Sequence, residues 1–130
     1  MSSTTGTIRK ATVPQRVDKP WGYELIWAHT DRYVGKVLHV NKGEKLSLQY
    51  HQQKDETIYV STGRLLLLVD EGNGLVEKQL RPGDSYHILP GIRHRLIAEE
   101  NCDILEASTP ELDDVVRLED NYGREGTTTA

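Results

Sequence analysis

Four side chains able to hold a divalent cation stand at fixed spacings in the middle of the chain: Gln49, His51, Glu56 and His94. The first three lie in GEKLSLQYHQQKDETIYVSTG, residues 43–63, where Gly43 is followed by five residues, Gln49-x-His51, four residues, Glu56, six residues and Gly63. Side chains alternate across a strand, so Ser47, Gln49 and His51 share one face while Leu46, Leu48 and Tyr50 take the other. A hairpin then returns Glu56 toward the pair. Two neutral donors and a carboxylate converging from adjacent strands form half of a metal site. The second segment, GDSYHILPGIRHRLIA at residues 83–98, turns at Gly83-Asp84 and again at Pro90-Gly91 before His94 opens a new strand. His94 is thereby placed to supply a fourth ligand. Each residue alone would be ordinary on a polar strand face; together with the glycine spacings they describe one divalent metal per chain.

Composition narrows the remaining chemistry. The 130 residues hold 16 basic and 20 acidic side chains, a formal net charge of -4, which argues against nucleic acid or an anionic membrane as partner. A single cysteine, Cys102, excludes an intrachain disulfide and a thiolate metal motif, leaving nitrogen and oxygen ligands. The first thirty residues contain no apolar leader, and no run approaches the ~18 apolar residues of a membrane span, so the expected location is cytoplasmic.

The elements that must position these ligands read as strands. Turn signals recur about every ten residues, including Asn41-Lys42-Gly43, Thr62-Gly63, Glu71-Gly72-Asn73-Gly74 and Arg81-Pro82-Gly83-Asp84. Between them lie short segments at 23–28, 34–40, 46–51, 57–61, 65–70, 76–80, 85–89, 94–98 and 103–108. Many short strands with Gly/Pro turns predict an all-β sandwich or barrel. One helix is predicted over residues 111–120, where Leu112, Val115, Val116 and Glu119 are spaced by three and four after Pro110. Residues 1–10 are expected to form a disordered arm, 11–125 the barrel domain, and 126–130 a disordered tail.

These segments resemble the paired motifs of the cupin superfamily, a single-domain double-stranded β-helix or jelly-roll barrel. The usual first motif, G-x5-H-x-H-x3,4-E-x6-G, is matched at every spacing, with Gln49 in place of the first histidine. The usual second motif, G-x5-P-x-G-x2-H-x3-N, is matched at Gly83, Gly91 and His94. Leu89 stands at its proline and Ala98 at its asparagine. Three further stretches are similar to the isomerase domain of type II mannose-6-phosphate isomerases: KPWGYELIW at 19–27, GEKLSLQYH at 43–51 and DDVVRLEDNYGR at 113–124. The resemblance is to that domain by itself, so a stand-alone isomerase-like domain, without the nucleotidyltransferase domain of the bifunctional relatives, is expected. Gln52-Gln53-Lys54-Asp55 replaces their His/Arg-rich stretch after the metal histidine.

The resemblance implies a metal-dependent aldose–ketose isomerase acting on a sugar phosphate of the mannose 6-phosphate kind. Zinc is the expected ion, with iron, manganese and nickel as alternatives. A neutral Gln49 leaves Glu56 as the sole charged ligand, keeping the metal strongly Lewis-acidic while a C2 proton moves. Ser47, on the ligand face, is a candidate to meet substrate. Lys36 and Arg117, with Arg124 beside them in reserve, are candidates for an anionic group. The general base is left open among His87, His39 and Glu106, of which His87 and Glu106 are carried forward. An iron-dependent oxygenase and a non-catalytic sugar- or metabolite-binding module are the competing readings. A homodimer is implied by the resemblance.

Overall fold

The computed structural model describes residues 13–128 and is all-β, with twelve strands and, among these residues, no helix. The arm expected over residues 1–10 lies outside the described residues. The strands are β1 (Gln15–Lys19), β2 (Gly22–His29), β3 (Val34–Val40), β4 (Leu48–Tyr50), β5 (Glu56–Thr62) and β6 (Leu65–Asp70), followed by β7 (Leu75–Leu80), β8 (Ser85–Ile88), β9 (His94–Ala98), β10 (Cys102–Ser108), β11 (Val115–Glu119) and β12 (Gly126–Thr128). They form two antiparallel six-stranded sheets, ordered β1-β2-β3-β10-β5-β8 and β12-β11-β4-β9-β6-β7.

Period-two patterning decides which faces meet. In β6, Leu65, Leu67 and Val69 are fully buried, and in β10 the buried positions are Cys102, Ile104, Glu106 and Ser108. The inward rows are not uniform along their length. At one end they are apolar, with Val40, Val60, Leu65, Leu67 and Ile104 in one core cluster. Full burial of each such side chain contributes about 1.5–3 kcal/mol. At the other end the same strands turn Lys36, Glu56, His94 and Glu106 inward, all almost fully buried. The apolar half fixes the spacing of the sheets, and the polar half is the site.

Two glycines set the close approaches that allow this. Gly22 follows Trp21 at the tight β1–β2 turn, and a Cβ there would fall 1.9 Å from the His39 carbonyl oxygen. Gly63, the last glycine of the first motif, has φ +85°, and its Cβ would sit 2.2 Å from the Asn101 carbonyl oxygen. A larger residue at either position must push a neighbouring backbone aside.

Three expectations are corrected. The stretch 111–120 is not helical: Val115–Glu119 forms β11, pairing with β4 on one side and β12 on the other. The helical spacing of Leu112, Val115 and Val116 is outweighed by the open edge of β4, which takes β11 as its partner. Gly126–Thr128, expected within a disordered tail, pairs with Val115–Arg117. Gln15–Lys19 carried no strand signal, because an edge strand needs no apolar alternation, yet it pairs along its whole length with β2.

Candidate metal centre

β4 and β9 are neighbours, and Gln49 is in register with His94. Glu56 enters from the facing sheet at the start of β5. The His51 Nε2 lies 2.8 Å from Glu56 Oε2, and the His94 Nε2 lies 3.4 Å from the same oxygen. Adjacent donors on a tetrahedral ion with bonds near 2.0–2.1 Å are about 3.3 Å apart, so these separations fit one cation. Among the described residues, His51, Glu56 and His94 form a group whose ligand atoms all lie within 4.8 Å of one another.

The hydrogen bonds behind the imidazoles fix their tautomers. His51 Nδ1 donates to the Asp114 carbonyl oxygen at 2.6 Å, and His94 Nδ1 donates to the Ile92 carbonyl oxygen at 2.9 Å. A carbonyl only accepts, so each neutral ring presents an Nε2 lone pair to the Glu56 carboxylate, which also only accepts. Two lone pairs against one carboxylate oxygen repel unless a cation lies between them. The donor set therefore fits a metal on chemical grounds, and the outward Nδ1 bonds are the supports that metal-binding histidines need.

Gln49 is half-buried and lines the same cavity as the trio. Its Oε1 accepts a hydrogen bond from Ser47 Oγ at 2.6 Å, which orients the amide. Ser47 is fully buried and does not line the cavity, so it supports Gln49 in place of the expected substrate contact. Leu46, expected on the opposite face, also lines the cavity, because β4 begins only at Leu48 and alternation does not extend back to it.

The cavity measures about 60 Å³. At 10–15 Å³ per water on this measure, that is room for roughly four to six waters, or for a metal and the reacting end of a substrate. Lys36, Glu106 and Arg117 line it. His87 does not. Ile88 points inward from β8, so its neighbour His87 must point out, where it meets Asp55 Oδ1 at 2.6 Å in an outer depression shared with Trp27 and Tyr33. His39 is likewise external, stacked on Tyr23 and bonded to Asp103 Oδ1 at 2.7 Å.

Sequence reasoning missed Lys54. It is buried, with Nζ 2.9 Å from Glu106 Oε2 and 3.7 Å from Glu56 Oε1. The available signal was its position as the one cation between His51 and Glu56. Burial opposes its charge, but Glu106 and Glu56 more than offset this and hold the ammonium above its usual range. Burial also opposes ionisation of Glu56, yet the Lys54 charge foremost holds it well below the usual carboxylate range. Glu106 goes the other way: burial, reinforced by the charge of Glu56, raises it against the pull of Lys54 and Lys36. The two neighbouring carboxyl groups are thus pushed in opposite directions, Glu56 down and Glu106 up, an arrangement found in acid–base sites.

An antiparallel barrel whose open end gathers two histidines and a carboxylate defines the class of protein. The chain belongs to the cupin family, its residues 36–107 matching the Cupin domain model. It is 37% identical over 116 residues to the mannose-1-phosphate guanylyltransferase ManC of Salmonella typhimurium, a match covering 85% of this chain and 23% of that protein. It is 34% identical over 122 residues to the xanthan biosynthesis protein XanB of Xanthomonas campestris pv. campestris, covering 88% of this chain and 25% of that one. The chain thus spans about a quarter of the length of these curated relatives. Among solved structures, a sugar phosphate isomerase of the cupin superfamily from Silicibacter pomeroyi superposes with TM-score 0.61 at 22% identity, covering 73% of this chain and 64% of that one. Oxalate decarboxylase from Bacillus subtilis gives TM-score 0.73 at 16% identity, covering 88% and 33%. At these identities the structural likeness speaks for the fold alone. No helix among the described residues is long and apolar enough to cross a membrane.

The His51 side of the site hangs on Asp114. Its backbone carbonyl holds the imidazole, and its carboxylate accepts N–H bonds from Gln52, Gln53 and Lys54 at 2.9, 2.6 and 2.8 Å. Burial opposes the charge, but those N–H groups and His51 hold the carboxyl below its usual range. Because the folded value is depressed, the carboxylate stabilises the fold above the unfolded value of about 3.9, and the contribution is lost as pH falls through the folded value. Asp114→Ala in chelator-treated protein is expected to cost about 1–3 kcal/mol at pH 7 and progressively less as the pH approaches about 3. Denaturant unfolding at both pH values measures it, and an equal loss at both would contradict the assignment.

Proposed function

We propose that the chain is a metal-dependent aldose–ketose isomerase acting on a phosphorylated sugar of the mannose 6-phosphate kind. The carrying observation is the pairing, in one cavity, of a His51–Glu56–His94 group able to hold a metal with a second buried carboxyl, Glu106, 2.9 Å from Lys54. Gln49 is the proposed fourth ligand and zinc the proposed ion, since the reaction moves no electrons to or from the protein.

A bound divalent ion would supply Lewis acidity at the substrate's carbonyl and neighbouring hydroxyl oxygens. Glu106 takes the proton from C2 and returns it to C1, while the hydroxyl proton passes between the two oxygens, so no atom or charge is gained or lost. Lys54, 2.9 Å from Glu106, holds that carboxylate in place and stabilises it whenever it is ionised. Arg117 presents positive charge to the anionic end of the substrate, whereas Lys36, expected to share that role, is paired with Glu24 at 3.3 Å. His87, on the outer face, takes no part. The relatives named for mannose 1-phosphate and xanthan synthesis are in keeping with a sugar phosphate as substrate.

Zinc-loaded protein is expected to convert mannose 6-phosphate to the ketose and to exchange the C2 proton with D2O. Glu106→Gln should lower kcat by about 10²–10⁴ while zinc content stays unchanged. Bound zinc and bound sugar phosphate without turnover or exchange would leave a binding module as the correct reading.

The homodimer is proposed on one feature of the outer sheet face. Tyr59, Leu105, Val37 and Leu25 are cross-strand neighbours in a row over β5, β10, β3 and β2, with Tyr59 and Leu105 42% and 40% exposed. Such a row is suited to cover by a second copy. Analytical ultracentrifugation should show a dimer that Leu105→Asp converts to monomer; a monomeric wild type at micromolar concentration refutes it.

A further inference from the structure

Five cations gather around the cavity: Lys19, Lys36, Lys54, Arg117 and Arg124 all line it. Four carboxylates face them. Lys36 is paired with Glu24 at 3.3 Å, Lys54 with Glu106 and Glu56, and Arg124 with Asp120 through Nε at 2.8 Å and Nη2 at 3.1 Å. Arg117 and Lys19 make no ion pair among the described residues. Arg117 is 9% exposed, and its Nε is buried with no hydrogen-bond partner. Burial and the nearby Arg124 charge work against the Arg117 guanidinium, with Asp120 and Glu24 opposing them; burial, Lys36, Arg117 and Arg124 work against the Lys19 ammonium, with Glu24 opposing them. A buried, unsatisfied guanidinium repelled by a second arginine is costly unless an anion completes it.

We propose that Lys19 and Arg117 form the seat of a phosphoryl dianion at the cavity wall beside the metal cluster, flanked by Arg124, whose guanidinium is already held by Asp120. The proposal rests on the sugar-phosphate reading and assigns the residues that select the phosphorylated end. Lys36, committed to Glu24, lies outside the seat. The distances suit one extended substrate. Arg117 is the cross-strand neighbour of Gln49, which is the neighbour of His94. With strands about 4.8 Å apart, the seat lies about 10 Å from the His94 row. A single substrate would therefore reach the metal with its carbonyl end and the seat with its phosphoryl end. Arg117 offers a planar fork to two phosphoryl oxygens, and the ammonium of Lys19 adds a point charge. A monoanion would leave part of this charge unanswered.

The seat also joins the two sheets. Lys19 ends β1 in one sheet, whereas Arg117 is in β11 and Arg124 precedes β12 in the other. An anion held by Lys19 and Arg117 together is bound only by the folded barrel, so it must raise the unfolding temperature.

The test uses chelator-treated full-length protein at constant ionic strength, with calorimetric titration and thermal unfolding. Inorganic phosphate and mannose 6-phosphate should both bind and raise Tm, whereas mannose should do neither and a hexuronate should bind at least tenfold more weakly than the phosphate ester. Arg117→Gln and, independently, Lys19→Gln should each weaken phosphate binding at least tenfold; the more exposed Lys19 variant keeps the test valid if Arg117→Gln fails to fold. Wild-type protein that ignores phosphate, phosphate binding unchanged in both variants, or a hexuronate bound as tightly as mannose 6-phosphate would overturn the seat. Phosphate binding without isomerisation would retain the seat and remove the isomerase reading. Isomerisation with KM unchanged in Lys19→Gln and Arg117→Gln would do the reverse.

Discussion

A carboxylate as thoroughly buried as Glu56 stays ionised only where positive charge is brought to it, because removing an isolated anion from water costs far more than a domain's net stability. Here that charge comes from Lys54 in the preceding loop, and a cation between Glu56 and the Nε2 atoms of His51, just after β4, and His94 in β9 would add to it. Each of these is in turn held by something else. Lys54 is shared with Glu106, the His51 ring is fixed by the Asp114 carbonyl, and the His94 ring by Ile92 within its own turn. The barrel therefore has a charged layer whose members are mutually dependent. The apolar layer around Leu65, Leu67 and Ile104 supplies the stability that lets this layer exist.

Placing opposite charges side by side in a water-poor cavity also separates their chemical roles. Glu56, facing Lys54 and two imidazoles, is driven toward the anion, while Glu106 is driven toward the acid by burial and by Glu56 itself. One environment thus gives two identical side chains opposite acidities, which suits the separate roles proposed for them. At the cavity wall the balance tips to positive at Arg117 and Lys19, so the same enclosure that accommodates a cation at one end favours an anion at the other.

Much of this was legible because β-structure has the simplest period. The segments 34–40, 65–70 and 94–98 are short, mostly aliphatic and bounded by turn residues, and each is a strand with those bounds. The cluster of His51, Glu56 and His94 was legible because its spacing is set by turns whose glycines mark them. What failed is non-local. Leu112, Val115 and Val116 have helical spacing, and nothing within residues 111–120 reveals that Arg117 will lie beside Gln49. Gln15–Lys19 is polar because it is an edge, so its pairing with β2 left no trace in its pattern. His87 was misplaced although its parity with Ile88 already turned it outward. Lys54 went unnoticed because a lysine in a polar loop is ordinarily solvated, and only the fold shows that this loop closes over the cavity wall.

The most direct test of the central claim is metal content by mass spectrometry on purified protein, measured beside His51→Ala and His94→Ala variants prepared identically. The account predicts about one zinc per chain in the wild type and a loss of most of it in both variants, because each removes one of the Nε2 donors converging on Glu56. A wild type that holds no divalent metal even after zinc is supplied, with both variants indistinguishable from it, would contradict the account. The His51–Glu56–His94 cluster would then be a hydrogen-bonded charge layer and not a metal centre.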